Sequence, residues 1–410
     1  MQLPPRVTLT RLLALLAVLV VVQAALATTA GGATLRERLD RALTVQGVSR
    51  AKTGAFAFDL RTGQVLYGLH SSLSLQPASA QKLAVALTAL DRLGSAYRIP
   101  TEVLGMGNQN GSVWRGRLVL KGYGDPSVSR MDMRALALQV RALGIRRVTG
   151  GIRGDESYYD RRRTCLGWKP SWYKVESPPL SALVVARAKV KRRVADEPAL
   201  AAAAAFKAAL RAVGVTVALA ATVGEAPGGA PVLARTRSAP LASLVRTMNK
   251  QSDNFYAEML LKHLGRTMRG AGTTFLGNTI VRNELRARGV PMTGLRFADG
   301  SGLSRRDRFT ARALAALLYS AWSDAVVKQP FVASLPRAGL DGTLEDRMEA
   351  RPARGRVRAK TGTTGTASSL SGYVADRYVF SVVQNGRSLP WWWARRAQDR
   401  FAQVLAGASR

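Results

Sequence analysis

The chain has 410 residues, enough for two or three domains with sizeable cores. At 47% hydrophobic and 21% charged, with no long low-complexity tract, its composition is that of a globular protein and excludes a disordered chain. Lys and Arg number 61 against 26 Asp and Glu, a net charge of +35, which fits either an anionic partner or a solvated arginine-rich surface.

At the N-terminus, Arg6 and Arg11 precede the uncharged run "LLALLAVLVVVQAALA", which ends in the small-x-small step Ala25-Leu26-Ala27. A basic start, a short apolar stretch and such a step read as a secretory signal over residues 1–27; a retained anchor is the alternative. Either places the bulk of the chain outside the cytoplasm. Nucleic acid is then not an expected partner, and anionic wall polymers or lipid head groups are better ones. A lone Cys165 allows no intrachain disulfide. His70 and His263 lack metal-ligand spacing, so no metal or other cofactor is expected. His263 lies in the helical stretch "NFYAEMLLKHLG" and reads as a surface or groove residue, so a catalytic base is expected to be something other than histidine.

After a helix at "TLRERLDRALTV", the alternation in "GAFAFDLRTGQVLYGL" predicts a β-hairpin turning at Arg61-Thr62-Gly63. The stretch "LQPASAQKLAVALTALDRLG" predicts a helix with Pro77 before its start, Leu83, Leu87 and Leu90 on one face, and Gly94 at its stop. From about residue 98 to 236 short strands alternate with helices, and "GEAPGGAPVL" closes the region, which predicts a separate α+β unit. Downstream, "APLASLVRTMNKQSDNFYAEMLLKHLG" reads as two helical stretches around a polar interruption. Two more helices follow, then the hairpin "GTASSLSGYVADRYVFSVVQNG" and the amphipathic helix "WWWARRAQDRFAQVLAG". Trp391 to Trp393 are expected to pack that last helix onto a sheet.

Three short motifs carry chemistry. Ser79-Ala80-Gln81-Lys82 is an S-x-x-K, and at a helix start its serine and lysine share one face, one turn apart. Serine needs a base to become a nucleophile, and a desolvated lysine held neutral can serve. The helix N-terminus also offers N–H groups to a developing oxyanion. Ser252-Asp253-Asn254 interrupts the helical stretches, with Asn249 and Ser252 as plausible caps. Its hydroxyl can relay a proton, and its Asn can hold a substrate amide with one donor and one acceptor. The third motif, Lys-Thr-Gly, occurs twice inside the repeated pentapeptide "RAKTG", at Lys52 and at Lys360. Gly54 runs into Phe56 and Phe58, suited to a core strand, whereas Gly362 runs into the small residues "TTGTASSLSG". A strand edge that must receive a peptide-like ligand needs small side chains and free backbone, so Lys360 is the functional copy and Lys52 opens a core strand.

With "PASAQKL", "KGYGDPSVS", "SPPLSAL", "MNKQSDNFYAEMLLK", "DGSGLSR" and "AKTGT", the mature chain resembles the D-alanyl-D-alanine carboxypeptidase/endopeptidases of the class C low-molecular-mass penicillin-binding proteins. The resemblance implies an α/β (α+β) penicillin-binding, β-lactamase-like fold over residues 28–98 and 237–410, with a smaller α+β domain inserted at 99–236. It implies Ser79 as nucleophile, Lys82 as base and Ser252 as proton relay. Asn254 would bind the substrate amide, and Lys360, Thr361 and Thr363 the terminal carboxylate. The backbone N–H groups of Ser79 and Thr363 would form the oxyanion hole. Peptidoglycan stem peptides are the implied substrate and β-lactams the implied inhibitors. The family places extra domains between its first two motifs. The span from Ser79 to Ser252 suits one of them, and "ARAKVKRRV" departs from the family's usual insert sequence in being strongly basic. The alternatives are a β-lactamase-like hydrolase, against which stands the lack of an evident Glu-bearing deacylation loop, and an idle wall-binding protein, against which stand three intact motifs.

Overall fold

The computed structural model describes residues 33–409, so the expected signal segment lies outside the described residues. Helix α1 (Leu35–Ala42) is closed by a capping box between Thr34 and Glu37. Strands β1 (Thr53–Asp59) and β2 (Val65–Leu69) form the expected hairpin. A 3₁₀ turn, Ala78–Gln81, leads into helix α2 (Lys82–Leu93), which Gly94 ends with φ +83°. The region that follows contributes β3 (Pro100–Asn110), β4 (Val113–Gly122), α3 (Arg130–Ala142), β5 (Arg147–Val148) and β6 (Ile152–Asp155). It continues with the small hairpin β7 (Lys189–Val190) and β8 (Arg193–Val194), then α4 (Pro198–Ala212), β9 (Thr216–Val217), β10 (Thr222–Val223) and β11 (Val232–Arg237). Five helices come next: α5 (Leu241–Lys250), α6 (Asn254–Arg269), α7 (Thr274–Ala287), α8 (Ala311–Ser323) and α9 (Lys328–Ser334). The chain closes with β12 (Val357–Thr363), β13 (Ala367–Val374), β14 (Tyr378–Asn385) and α10 (Trp391–Ala408).

Two sheets organise these elements. The first is antiparallel, in the order β12-β13-β14-β1-β2, so the last three strands pair with the first two across the whole intervening chain. Because side chains alternate along a strand, Val379 and Val383 face one layer while Phe380 and Val382 face the other. The first layer is a helical core around Leu83, Leu87, Leu260, Leu264 and Leu314. The second is α1 with α10, which press Leu39, Phe401 and Leu405 onto Ala57 and Leu370. The second sheet runs β10-β6-β4-β3-β11, with β5 paired to β4 and β9 paired to β5, and α3 and α4 cover it through Leu136, Val140, Phe206 and Leu210. Between β6 and α4, Tyr159, Cys165, Leu180 and Ala182 pack against Phe255 and Met259 of α6. Among the described residues no helix is long and apolar enough to cross a membrane.

Several local expectations need correction. Trp391 and Trp392 are 48% and 65% exposed. The face of α10 set by helical spacing (Ala394, Ala397, Phe401, Leu405) meets the sheet instead, and the two tryptophans stack edge-on at its start. Asn249 is not a cap: it is buried within α5 and donates to Ser334 Oγ at 2.8 Å. Nor is Ser252, which sits in the left-handed region at φ +56°, while Asp253 caps α6 by accepting from Tyr256 N at 3.0 Å. His263 is fully buried rather than superficial, because the segment after β6 covers the outer side of α6.

Candidate active site

Three elements bring the motif residues together: the 3₁₀ turn before α2, the turn into α6, and edge strand β12. Lys82 Nζ lies 2.8 Å from Ser79 Oγ, 2.8 Å from Asn254 Oδ1 and 2.7 Å from the Ser301 carbonyl. Three acceptors match the three donors of an ammonium group. Lys360 Nζ lies 2.9 Å from Ser252 Oγ and 2.8 Å from the Thr361 carbonyl. Both lysines are fully buried, and their partners are hydroxyls, an amide and carbonyls rather than carboxylates.

Burial therefore lowers both proton affinities. Lys82 falls to about 8, with Asp299 and Glu258 holding it from falling further. Lys360 is driven well below its ordinary value by burial and by the neighbouring Lys82. A lysine near 8 is neutral in a useful fraction of molecules near neutral pH, as a general base must be.

The third motif's glycine explains how β12 reaches the serine. A Cβ on Gly362 would stand 2.3 Å from Ser369 Oγ and 2.9 Å from both Pro77 O and Ser79 N. Strand and serine turn are thus in backbone contact, which only glycine permits. Along the outer edge of β12, Val357 O and Ala359 N are already bonded to Ala338 and Pro336. Among the described residues no strand pairs beyond them at Thr361–Thr363, which leaves that edge open to a peptide. Thr361 Oγ1 donates to Thr343 Oγ1 at 2.7 Å, and Thr363 Oγ1 accepts from Arg395 at 3.3 Å. By contrast, Lys52 is exposed in a 3₁₀ turn ahead of β1.

Sequence reasoning missed four contributors: Thr343, Arg395, Ser301 and Glu176, whose carbonyl accepts from Asn254 Nδ2 at 3.0 Å. Only Ser301 carried a signal, inside "DGSGLSR"; the rest reach the site from distant loops or from α10. A cleft of about 230 Å³ opens beside the serine turn, lined by Ala78, Gly302 and Thr364 with Lys169, Trp172 and Arg305. A larger cavity of about 430 Å³ lies between α4 and the β7–β8 hairpin and touches none of the three motifs. Among the described residues no group of three or more His, Cys, Asp or Glu side chains is placed to hold a metal.

The D-Ala-D-Ala carboxypeptidase 3 (S13) family matches residues 35–196 and 185–406. The chain belongs to this family. It is 32% identical to the D-alanyl-D-alanine carboxypeptidase of Actinomadura sp. (strain R39), over 87% of this chain and 82% of that one. It is also 32% identical to carboxypeptidase DacB of Mycolicibacterium smegmatis, over 85% and 78% respectively. The fold is that of penicillin binding protein 4 (dacB) from Haemophilus influenzae, at TM-score 0.79 and 22% identity over 91% of this chain and 98% of that one. This S13 chain is thus a serine-type D,D-peptidase of the penicillin-binding fold, an α/β protein with sheets flanked by helices.

Proposed function

We propose that the chain hydrolyses the terminal D-Ala-D-Ala bond of peptidoglycan stem peptides through an acyl-enzyme on Ser79, outside the cytoplasm. The observation that carries this reading is the 2.8 Å contact between Ser79 Oγ and a buried Lys82 whose other hydrogen bonds go to an amide oxygen and a carbonyl rather than to a carboxylate. Having lost a proton, Lys82 keeps two donors for Asn254 and Ser301 and turns its lone pair to the serine hydroxyl. Ser79 Oγ then attacks the penultimate D-Ala carbonyl as its proton passes to Lys82. The N–H groups of Ser79 and Thr363 hold the oxyanion, a role supported by the backbone contact at Gly362. Ser252 carries a proton to the leaving D-Ala amine, and water releases the acyl group in a second step with the same base. Lys360, Thr361 and Thr363 receive the terminal carboxylate, and Asn254 aligns the substrate amide. A carboxylate there supplies the counter-charge that buried Lys360 lacks.

The two sheets support a division into a D,D-peptidase domain, residues 28–98 and 237–410, and an inserted domain, 99–236. β-Lactams present a strained amide to the same serine, and cross-linked stems are a second candidate substrate. Turnover of a D-Ala-D-Ala stem peptide, measured beside penicillin hydrolysis, tests the reading. The expected result is free D-Ala and a stable penicillin adduct on the peptide containing "PASAQK". Rapid penicillin turnover without D-Ala release would favour a β-lactamase, and an adduct on another serine would refute the assignment of Ser79.

A further inference from the structure

Beneath Lys82 lies a buried carboxylate that the three motifs do not use. Glu258, in α6, is fully buried. Its carboxylate accepts from Gly300 N at 3.0 and 3.1 Å and from Ser301 N at 2.8 Å, and the Cys165 thiol donates to it at 3.2 Å. Ser301, held through its N–H, presents its carbonyl to Lys82 Nζ. The same turn is braced by Asp299, which accepts from Gly302 N, Ser304 N and Trp168 Nε1 at 2.6, 2.7 and 2.7 Å. There is no slack on either side. A Cβ on Gly302 would meet Ala78 O at 1.9 Å, and one on Gly300 would meet Ala257 O at 3.0 Å. The turn is therefore wedged between α6 and the 3₁₀ turn that carries Ser79.

We propose that Glu258 is a positioning residue for the D,D-peptidase reaction: by clamping the Gly300–Ser301 turn it aims the Ser301 carbonyl at Lys82, and by its charge it sets how readily Lys82 gives up a proton. The inference rests on the reading of Lys82 as the base. The titratable and charged groups facing Glu258 are Asp299 from the turn, Lys82 from α2 and Cys165 from the segment after β6. Asp307 lies one step further, donating nothing to Glu258 and accepting from Ala298 N and Asp299 N at 2.6 and 3.3 Å. Burial, with Asp299 adding to it, raises Glu258 to about 7, so its charge changes around neutral pH. An ionised Glu258 favours the ammonium form of Lys82 and opposes its action as a base. Glu258 thus trades alignment of the base against the fraction of it that stands neutral.

The test is the pH dependence of Ser79 acylation by penicillin in the full chain, compared with Glu258→Gln and Cys165→Ala, with each variant's Tm as the check of folding. Glutamine keeps an acceptor for the turn and removes the charge. Its acid limb is expected to move down by about one pH unit. Cys165→Ala removes a donor to the anion and is expected to move the limb the same way by less. If Glu258→Gln folds and its limb stays in place, the inference is overturned. If Glu258→Gln does not fold, Cys165→Ala decides: a downward shift supports the proposal and an unmoved limb overturns it. Lys82→Ala separates the two readings. If it still acylates Ser79 at the parent rate, the assignment of the base has failed, whatever Glu258 does.

Discussion

Lys52 and Lys360 share a pentapeptide and lie in opposite environments, one solvated in a turn and one buried in an edge strand. Lys360→Ala should lower kcat/KM for a D-Ala-D-Ala peptide by tens- to several-hundred-fold, the equivalent of about 2–4 kcal/mol of lost transition-state stabilisation. Lys52→Ala should stay within about twofold of the parent, because that lysine is exposed and its ammonium has no hydrogen-bond or ion-pair partner among the described residues. The opposite pattern in folded variants would mean the wrong copy had been chosen. The neighbours of each lysine made this legible in the sequence: aromatic residues after Gly54, small hydroxyl residues after Gly362. What the spacing could not reveal is the supporting shell. Glu258, Lys262 and His263 occupy positions of α6 that a sequence reads as its polar face, and the structure buries all three. His263 donates from Nδ1 to the Tyr123 carbonyl at 3.1 Å, and its Nε2 lies 3.0 Å from Tyr97 Oη, an arrangement that the neutral ring satisfies. Burial accordingly lowers it to about 4, against an ordinary value of 6.5. Between those values the unfolded chain binds the proton that the folded chain refuses. Stability is therefore full above about pH 6.5 and falls as the pH drops toward 4, by up to about 3 kcal/mol. Urea unfolding of His263→Gln should show a smaller loss over that interval; an unchanged pH slope would disprove the role.

At the level of elements, the hairpins and most helices follow from periods of 2 and 3.6 in the sequence. The pairing of β14 with β1 does not, since it joins segments more than 300 residues apart and only tertiary packing selects it. The contact of β12 with the serine turn is of the same kind. Gly362→Ala should be among the most damaging small substitutions in the chain, because its Cβ meets backbone at Pro77 and Ser79 as well as a side chain. Overpacking of this sort costs about 1–3 kcal/mol and pushes β12 away from Ser79 N. Penicillin acylation should fall by more than the drop in Tm alone explains, and an active, normally acylated variant would show that the close approach is dispensable. The last helix gives the complementary case. Phe401→Ala should cost about 3–5 kcal/mol, since Phe401 is fully buried against Tyr67 and Phe380. Trp392→Ser should cost less than about 0.5 kcal/mol, because that ring stands mostly in solvent. Denaturation of the two variants side by side checks the pair.

On the scale of the molecule, the stretch 99–236, which the sequence reads as a separate α+β unit, makes side-chain contacts with α6 and the turn before it. Lys262 pairs with Asp160, Arg187 with Asp253 at 2.5 Å, and Cys165 and Tyr159 pack onto α6. Such cross-lobe contacts carry no periodic signal and so stayed invisible in the sequence. Charge is the other property of the whole chain. Because 61 bases outnumber 26 acids, an excess of 35 positive charges is left without an acidic counterpart in the chain. The densest exposed group is the β7–β8 hairpin, where Lys189, Lys191, Arg192 and Arg193 crowd into five positions. At physiological ionic strength a field of this kind is screened over about 8 Å, so it acts on surfaces that come close. The protein should therefore be retained on purified anionic wall polymer at low salt and released as salt rises. Reversing three of the hairpin charges, with Lys191→Glu, Arg192→Glu and Arg193→Glu together, should lower the salt needed for release without changing D,D-peptidase turnover of a soluble peptide. Retention that ignores salt, or a triple variant that elutes with the parent, would mean that the positive surface does not act through this hairpin.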